Sequence, residues 1–237
     1  MARLASLGAS PDPVAKKVTA VEGVSVNAQV YEAIKTAILS GQLRPGVKLI
    51  HQELAQRLAV SRTPVRESLE RLYQEGFVTR IARRGFFVAE IDEDEARELY
   101  ELREALELFA LRLTTVRGLS SADLRGLEYF NKRYRQLLRD DSTRERMLVD
   151  RDWHLSLAAL ANNRVLIRML ESVFERLILK IRVDGYRTVR GQEALNEHLA
   201  MTQALRDENW DSAQKLLTSH IRGARRRLVS HLADLAD

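Results

Sequence analysis

Val60-Ser61-Arg62-Thr63-Pro64-Val65-Arg66-Glu67 reads as the opening turns of a helix whose surroundings decide the fold. Ser61 is a preferred N-cap, and Pro64 falls in the first turn, where its missing N–H costs no helical bond. Val65, Leu69 and Leu72 share one apolar face, and Gly76 ends the helix. Opposite them lie Thr63, Glu67, Glu70 and Gln74, with Arg66 at their flank. Upstream, Leu54, Ala55 and Leu58 form the inner face of a short helix over 51–58, entered through the turn Leu43-Arg44-Pro45-Gly46. Before that turn Val30, Ile34, Ala37 and Ile38 recur at helical spacing until Gly41. Downstream, residues 77–81 and 86–90 are β-branched or aromatic in good part and flank Ala82-Arg83-Arg84-Gly85, which predicts a hairpin. Three helices followed by a basic hairpin make the order of a winged helix-turn-helix.

That order carries a chemistry. A helix clamped on its inner face by two others can place its outer N-terminal residues in a major groove. Arg62 and Arg66 are then the side chains able to bond guanine edges bidentately. Ser61, Thr63 and the helix N-terminal N–H groups suit phosphate oxygens. Arg83 and Arg84 at the hairpin tip reach the minor groove or the backbone. Charge points the same way. The 237-residue chain has a formal charge of +5, but residues 1–88 carry +6 and residues 89–237 carry −1. A basic module joined to a neutral partner fits nucleic acid, although a basic stretch is also what a solvated face looks like.

Composition narrows the remainder. Hydrophobic residues make up 45% of the chain, enough for a core, and no stretch approaches a membrane span. No signal-peptide-like block occupies the first twenty residues, so a cytoplasmic protein without a membrane partner is expected. Cysteine is absent, which excludes thiolate zinc sites and cysteine nucleophiles. Residues 1–24, small and aperiodic with Pro11 and Pro13, predict a disordered arm before a DNA-binding domain over 25–90.

From Asp92 onward the pattern is helical throughout. Asp92 and Glu95 make a capping-box-like start, and Leu99, Leu102, Leu106, Phe109 and Leu113 predict the buried face of the first helix. Further helices are expected at about 121–139, 143–161, 164–184, 190–207 and 209–235, an antiparallel bundle over 91–237. The fold class is therefore mainly α, a winged helix-turn-helix followed by an all-α bundle. Asp150 and His154 lie four residues apart on one helix face. His198 sits in the stripe of Leu195, Thr202 and Leu205, and His220 in that of Ala213, Leu216, Leu217 and Ala224. Three imidazoles and a carboxylate aimed at one core suit a divalent Zn, Ni, Mn or Fe. Periodicity leaves coordination and ordinary hydrogen-bonded core histidines equally open. His231 shares the face of His220 but lies about 16 Å further along. His51, in the first domain, reads as a surface or phosphate-side residue.

Residues 27–90 resemble the N-terminal domain of the GntR family of bacterial transcription regulators. The resemblance rests on Gly41-Gln42-Leu43-Arg44-Pro45-Gly46, Glu53-Leu54-Ala55, the run from Val60 to Glu67, Glu75-Gly76-Phe77-Val78 and Gly85-Phe86-Phe87-Val88. It implies DNA contacts at Arg62, Thr63 and Arg66, with the wing at Arg84 and Gly85. Gln52 stands where many relatives have an arginine, which puts one contact in doubt. Residues 95–232 resemble the helical effector domain called FCD of the FadR subgroup, through Leu102-Arg103-Glu104-Ala105-Leu106-Glu107, Asp150-Arg151-Asp152-Trp153-His154, Ala161-Asn162-Asn163, Glu197-His198 and Ser219-His220. The resemblance implies one divalent metal on Asp150, His154, His198 and His220 beneath a pocket for a small carboxylate. Trp153 replaces the phenylalanine commonly found there. Arg103 is expected to clamp the effector carboxylate, the competing reading being an internal pair with Glu107. Asn163 is expected to start a helix. The resulting expectation is a non-enzymatic repressor, a homodimer on pseudo-palindromic operator DNA, controlled by a small organic acid. Two alternatives stay open: a metal-free pocket for a larger apolar or acyl effector, and, more remotely, a metal-dependent hydrolase.

Overall fold

Ser25 caps the first helix, its Oγ accepting from the Ala28 N–H at 3.2 Å. The computed structural model describes residues 25–138, 143–180 and 191–236. The expected arm over 1–24 and the expected helix ends at 139, 181–184 and 190 lie outside them. Helix α1 (Val26–Leu39) buries Val30, Tyr31, Ile34, Ala37 and Ile38, and Gly41 then takes φ 77° to turn the chain. Strand β1 (Lys48–Leu49) leads into α2 (His51–Leu58), which buries Leu54, Ala55 and Leu58. The third helix, α3 (Arg62–Gln74), buries Val65, Leu69 and Leu72 and packs against α1 and α2. Ser61 occupies the N-cap position, but its side chain makes no capping bond.

Strands β2 (Val78–Ile81) and β3 (Gly85–Val88) form the expected antiparallel hairpin, with Thr79 opposite Phe87. Arg83 at φ 61° and Gly85 at φ 96° close its turn. β1 adds to the other side of β3, giving the order β1-β3-β2. Two residues are too few to show an alternation, which is why this strand escapes a reading of the sequence. Phe77, Val78, Phe86 and Val88 seal the sheet onto the helices.

The chain divides into two compact units after Glu90. In the second, Asp92 caps α4 (Glu93–Arg117) by accepting from the Glu95 N–H at 2.8 Å. There follow α5 (Ser121–Leu137), α6 (Thr143–Ala159), α7 (Arg164–Lys180), α8 (Gly191–Arg206) and α9 (Trp210–Ala236). Ser120 and Asp123 form a full capping box at α5, and Asn163 Oδ1 accepts from the Val165 and Leu166 N–H groups at the start of α7. α4 packs against α6, α7 and α9, and α8 against α5 and α9. The core gathers Leu99, Leu127, Trp153, Leu157, Leu177, Met201, Leu217 and Ile221.

The expected inner face of α4 requires correction. Only Leu99 of that set is buried; Leu102 and Phe109 are exposed, and Leu106 and Leu113 are half-buried. The stripe turned inward is Ala96, Leu99, Tyr100, Arg103, Glu107, Ala110, Leu111 and Thr114. Arg103 and Glu107 can be buried because each supplies the other's counter-charge, a compensation that apolar periodicity does not register.

Candidate metal centre and nucleic-acid interface

Ser61, Arg62, Thr63 and Arg66 are exposed on the first two turns of α3, whose opposite face is clamped in the core. Arg62 donates from Nη2 to Gln52 Oε1 at 3.2 Å, so the glutamine at the start of α2 orients the first arginine of α3. Arg83 and Arg84 are exposed at the tip of the wing, Gly85 is half-buried, and the Arg84 guanidinium lies 5.6 Å from the Phe87 ring centroid. This surface offers a basic helix N-terminus and a basic wing from one unit. His51, expected at the surface or on the phosphate side, is half-buried and packs its ring edge-on against Phe86, centroids 5.5 Å apart.

The second unit brings together Asp150 and His154 from α6, His198 from α8 and His220 from α9. One potential ligand atom from each lies within 4.8 Å of all the others. The three imidazoles are buried, and Asp150, its side chain 25% exposed, is the member nearest solvent. Nε2 of His154 stands 3.1 Å from Nε2 of His220 and 3.8 Å from Asp150 Oδ2, and His198 Nε2 is 3.4 Å from Asp150 Oδ1. His231 takes no part in the cluster.

Two carboxylates outside the tetrad set its chemistry. Glu107 Oε2 lies 2.6 Å from His154 Nδ1, and Glu197 Oε2 lies 2.7 Å from His220 Nδ1. An ionised carboxylate only accepts, so both Nδ1 atoms carry a proton, and as neutral imidazoles, the form a metal ligand takes, the two rings present Nε2 lone pairs to each other. Two bare lone pairs at 3.1 Å form no hydrogen bond. They fit two donors to one ion, for which each Zn–N bond is about 2.0–2.1 Å. His198 has no hydrogen-bond partner at either ring nitrogen among the described residues. Its ring is held by stacking on Trp153, with centroids 4.2 Å apart and planes 2° from parallel, and by the edge of Tyr134. A buried imidazole without partners is costly unless something else occupies its lone pair. The donor set therefore fits a divalent transition metal.

Burial, reinforced by the Arg103 charge, pushes the His154 pKa well below its ordinary value, and burial with two neighbouring imidazoles does the same to His198. Both are held neutral, the state a ligand needs. Burial lifts the Glu107 carboxyl, opposed by Arg103; burial works against the Arg103 charge, and Glu107, joined by Tyr100 and Asp150, more than restores it. Arg103 Nε donates to Glu107 Oε1 at 2.7 Å, so the internal pair considered from the sequence does form. The guanidinium is not exhausted by it. Its Nη2 is buried without a partner among the described residues, and its carbon sits 4.5 Å from the centroid of Phe174. Glu197 and Tyr134, together with the contacts of Glu107 on His154 and of Trp153 on His198, are the parts of the site that sequence reasoning did not assign. Glu197 precedes His198 in sequence yet serves His220, a relation only the packing of α8 on α9 creates.

A winged helix-turn-helix with exposed arginines on its third helix, followed by a helical unit built around a polar cluster, is the layout of a DNA-binding regulator. Residues 26–88 match the gntR family of bacterial regulatory proteins and residues 98–223 match the FCD domain. The chain belongs to the GntR family, in the group whose members carry an FCD domain, and is a transcriptional regulator rather than an enzyme. It is 34% identical over 188 residues to the Nta operon transcriptional regulator of Aminobacter aminovorans, covering 77% of this chain and 85% of that one. It is 30% identical over 154 residues to the HTH-type transcriptional regulator McbR of Escherichia coli K12, covering 65% and 69%. A solved GntR regulator from Rhodococcus sp. RHA1 shares the fold at TM-score 0.76 and 24% identity, over 87% of this chain and 99% of that one. Among the described residues no helix is long and apolar enough to cross a membrane.

Proposed function

We propose that this regulator is a homodimeric, cytoplasmic repressor whose operator affinity is set by a small organic acid bound at one divalent transition metal per chain. Residues 25–90 serve as the DNA-binding domain and residues 91–237 as the effector and dimerisation domain. Ser61, Arg62, Thr63 and Arg66 meet the major groove and its phosphates, and Arg83, Arg84 and Gly85 form the wing contact. Asp150, His154, His198 and His220 hold the ion, Zn, Ni, Mn or Fe, which when bound supplies Lewis-acid positions for a carboxylate oxygen. The observation that carries this reading is the pair of Nε2 atoms facing each other at 3.1 Å, each proton placed on the far nitrogen by its own glutamate.

The chain's residues do the remainder. Arg103 directs its unused Nη2 to the effector carboxylate, the charge-assisted contact a guanidinium makes best. Glu107 holds Arg103 with one oxygen and His154 with the other, so anion capture and metal capture share one rigid group. Both sit on α4, which begins three residues after the division at Glu90. A shift of α4 on effector binding would pass through that short connection and change operator affinity.

The first test is elemental mass spectrometry on protein purified without a His-tag or chelator, followed by operator titrations against a panel of small carboxylates. About one transition-metal ion per chain, lost in His154→Ala, with operator affinity responsive to one acid class, is the expected result. A chain still metal-free after incubation with Zn, Ni and Mn overturns the metal reading. Effector response intact in His198→Ala and His220→Ala would favour a larger apolar effector.

A further inference from the structure

Arg227 lies on the same face of α9 as His220, about two helical turns further along. Long side chains on a helix lean back toward its N-terminus, and Arg227 has room to do so because residue 223 is a glycine. A Cβ at buried Gly223 would lie 3.1 Å from Arg227 Nη1, so the guanidinium rests over the turn that follows His220. Nη2 of the exposed Arg226 comes to 4.0 Å of the same point.

The register of α9 on α4 fixes what stands at that turn. Arg222 bonds Glu104 at 2.7 Å and Arg225 bonds Glu101 at 3.2 Å, so the two helices run antiparallel. Gly223 then falls at the level of Arg103. Folded back over Gly223, Arg227 brings a second guanidinium to the level of Arg103, whose own Nη2 is buried without a partner among the described residues. Phenols on two other helices feel this charge. Burial raises the pKa of Tyr100 on α4 and of Tyr134 on α5; Arg103 opposes the rise at the first, Arg146 at the second, and Arg227 at both. Arg227 is half-buried, and among the described residues it has no hydrogen bond or ion pair, nor has the buried Tyr134 hydroxyl a hydrogen bond. Glu107 does not serve both guanidiniums, because its oxygens are taken by Arg103 Nε and His154 Nδ1. Two guanidiniums with spare donors at one level repel each other until an anion joins them.

We propose that Arg227 is an effector-binding residue and that the effector is a dicarboxylate, held by one carboxylate at the metal and Arg103 and by the other at Arg227 and the Tyr134 hydroxyl. The proposal rests on the metal-bound carboxylate of the preceding section and names the class of acid. A monocarboxylate fills the first position and leaves Arg227 unmatched. Arg227 lies past residue 223, where the match to the FCD domain ends, so the shared domain pattern does not include it.

Isothermal titration calorimetry on the full-length, metal-loaded protein tests this with malonate, succinate and glutarate against propionate, butyrate and valerate, the monoacids of equal length. At least one diacid is expected to bind about 10–100-fold more tightly than its monoacid, the worth of one further charge-assisted contact. Arg227→Gln is expected to abolish that preference with one ion per chain still bound. Arg226→Gln removes the same charge from the exposed neighbour and is expected to keep the preference. A preference that survives Arg227→Gln, or that falls equally in Arg226→Gln, overturns the role of Arg227. Monoacids bound as tightly as diacids overturn the dicarboxylate class and leave the metal-bound carboxylate standing. If neither series binds at millimolar concentration while the metal is present, the carboxylate reading itself falls, and this inference with it.

Discussion

Replacing Glu107 by Gln keeps the side chain's shape and removes its charge, which separates two duties carried by one carboxylate. Its first oxygen lies 2.7 Å from Arg103 Nε, and both side chains are buried. Without it a guanidinium stays in the core with no counter-charge, a change that costs roughly 3–5 kcal/mol. At about 2–4 °C per kcal/mol for a domain of this size, the melting temperature of the metal-free protein should drop by on the order of 10 °C. Its second oxygen places the proton on His154 Nδ1. Loss of such a partner weakens metal binding about 10–100-fold, or about 1.4–2.7 kcal/mol. Urea unfolding of chelator-treated protein reads the first number, and competition with a chromophoric zinc chelator reads the second. Glu197→Gln is the internal comparison: its side chain is 31% exposed, so the metal effect should persist while stability changes by less than about 1 kcal/mol. If Glu107→Gln retains both wild-type stability and wild-type metal affinity, the shared-carboxylate argument is wrong.

Other expectations follow from the same geometry. Arg62→Ala and Arg66→Ala should each cost about 1–3 kcal/mol of discrimination at one operator position, read by binding to single-substituted operators; uniform loss across all sequences would reassign them to phosphate. Arg84→Ala should lower the salt slope of operator binding by about one without changing sequence preference, checked by titrations at several salt concentrations. The metal-free protein should weaken below about pH 6.5. His154 and His198 are held neutral by burial, so the unfolded chain binds up to two more protons there, while the raised Glu107 carboxyl offsets up to one. The net slope grows to about 1.4–2.7 kcal/mol per pH unit as the pH falls from roughly 6.5 to 5, and a flat stability profile over that window would contradict it. Trp153→Ala should cost about 3–5 kcal/mol by opening a cavity beside His198, whereas Trp153→Phe should keep most of the stacking, with denaturant midpoints separating the two.

Much of this molecule was legible in one dimension because its signals are local. Val65, Leu69 and Leu72 declare the inner face of α3 and leave Arg62 and Arg66 outward. A cap at Asp92 starts α4, and four residues separate Asp150 from His154 on one turn of α6. These relations depend on helical geometry alone, which neighbouring residues enforce without help from the rest of the chain. The positions of His198 and His220 within apolar stripes also told that both faced a core, though not that it was the same point in that core.

What the tertiary structure alone decided is who meets whom across helices. Glu107 reaches His154 across 47 positions and Glu197 reaches His220 across 23, and these contacts choose the nitrogens that face the centre. The rotation of α4 was decided there too. Its apolar residues Leu102 and Phe109 look inward by pattern, yet the helix turns Arg103 and Glu107 into the core instead. The physical reason is that apolar periodicity measures a residue's own transfer from water, whereas a buried charge is tolerated only through its partner. That partnership is a property of pairs in space, and pairs are set when the helices pack.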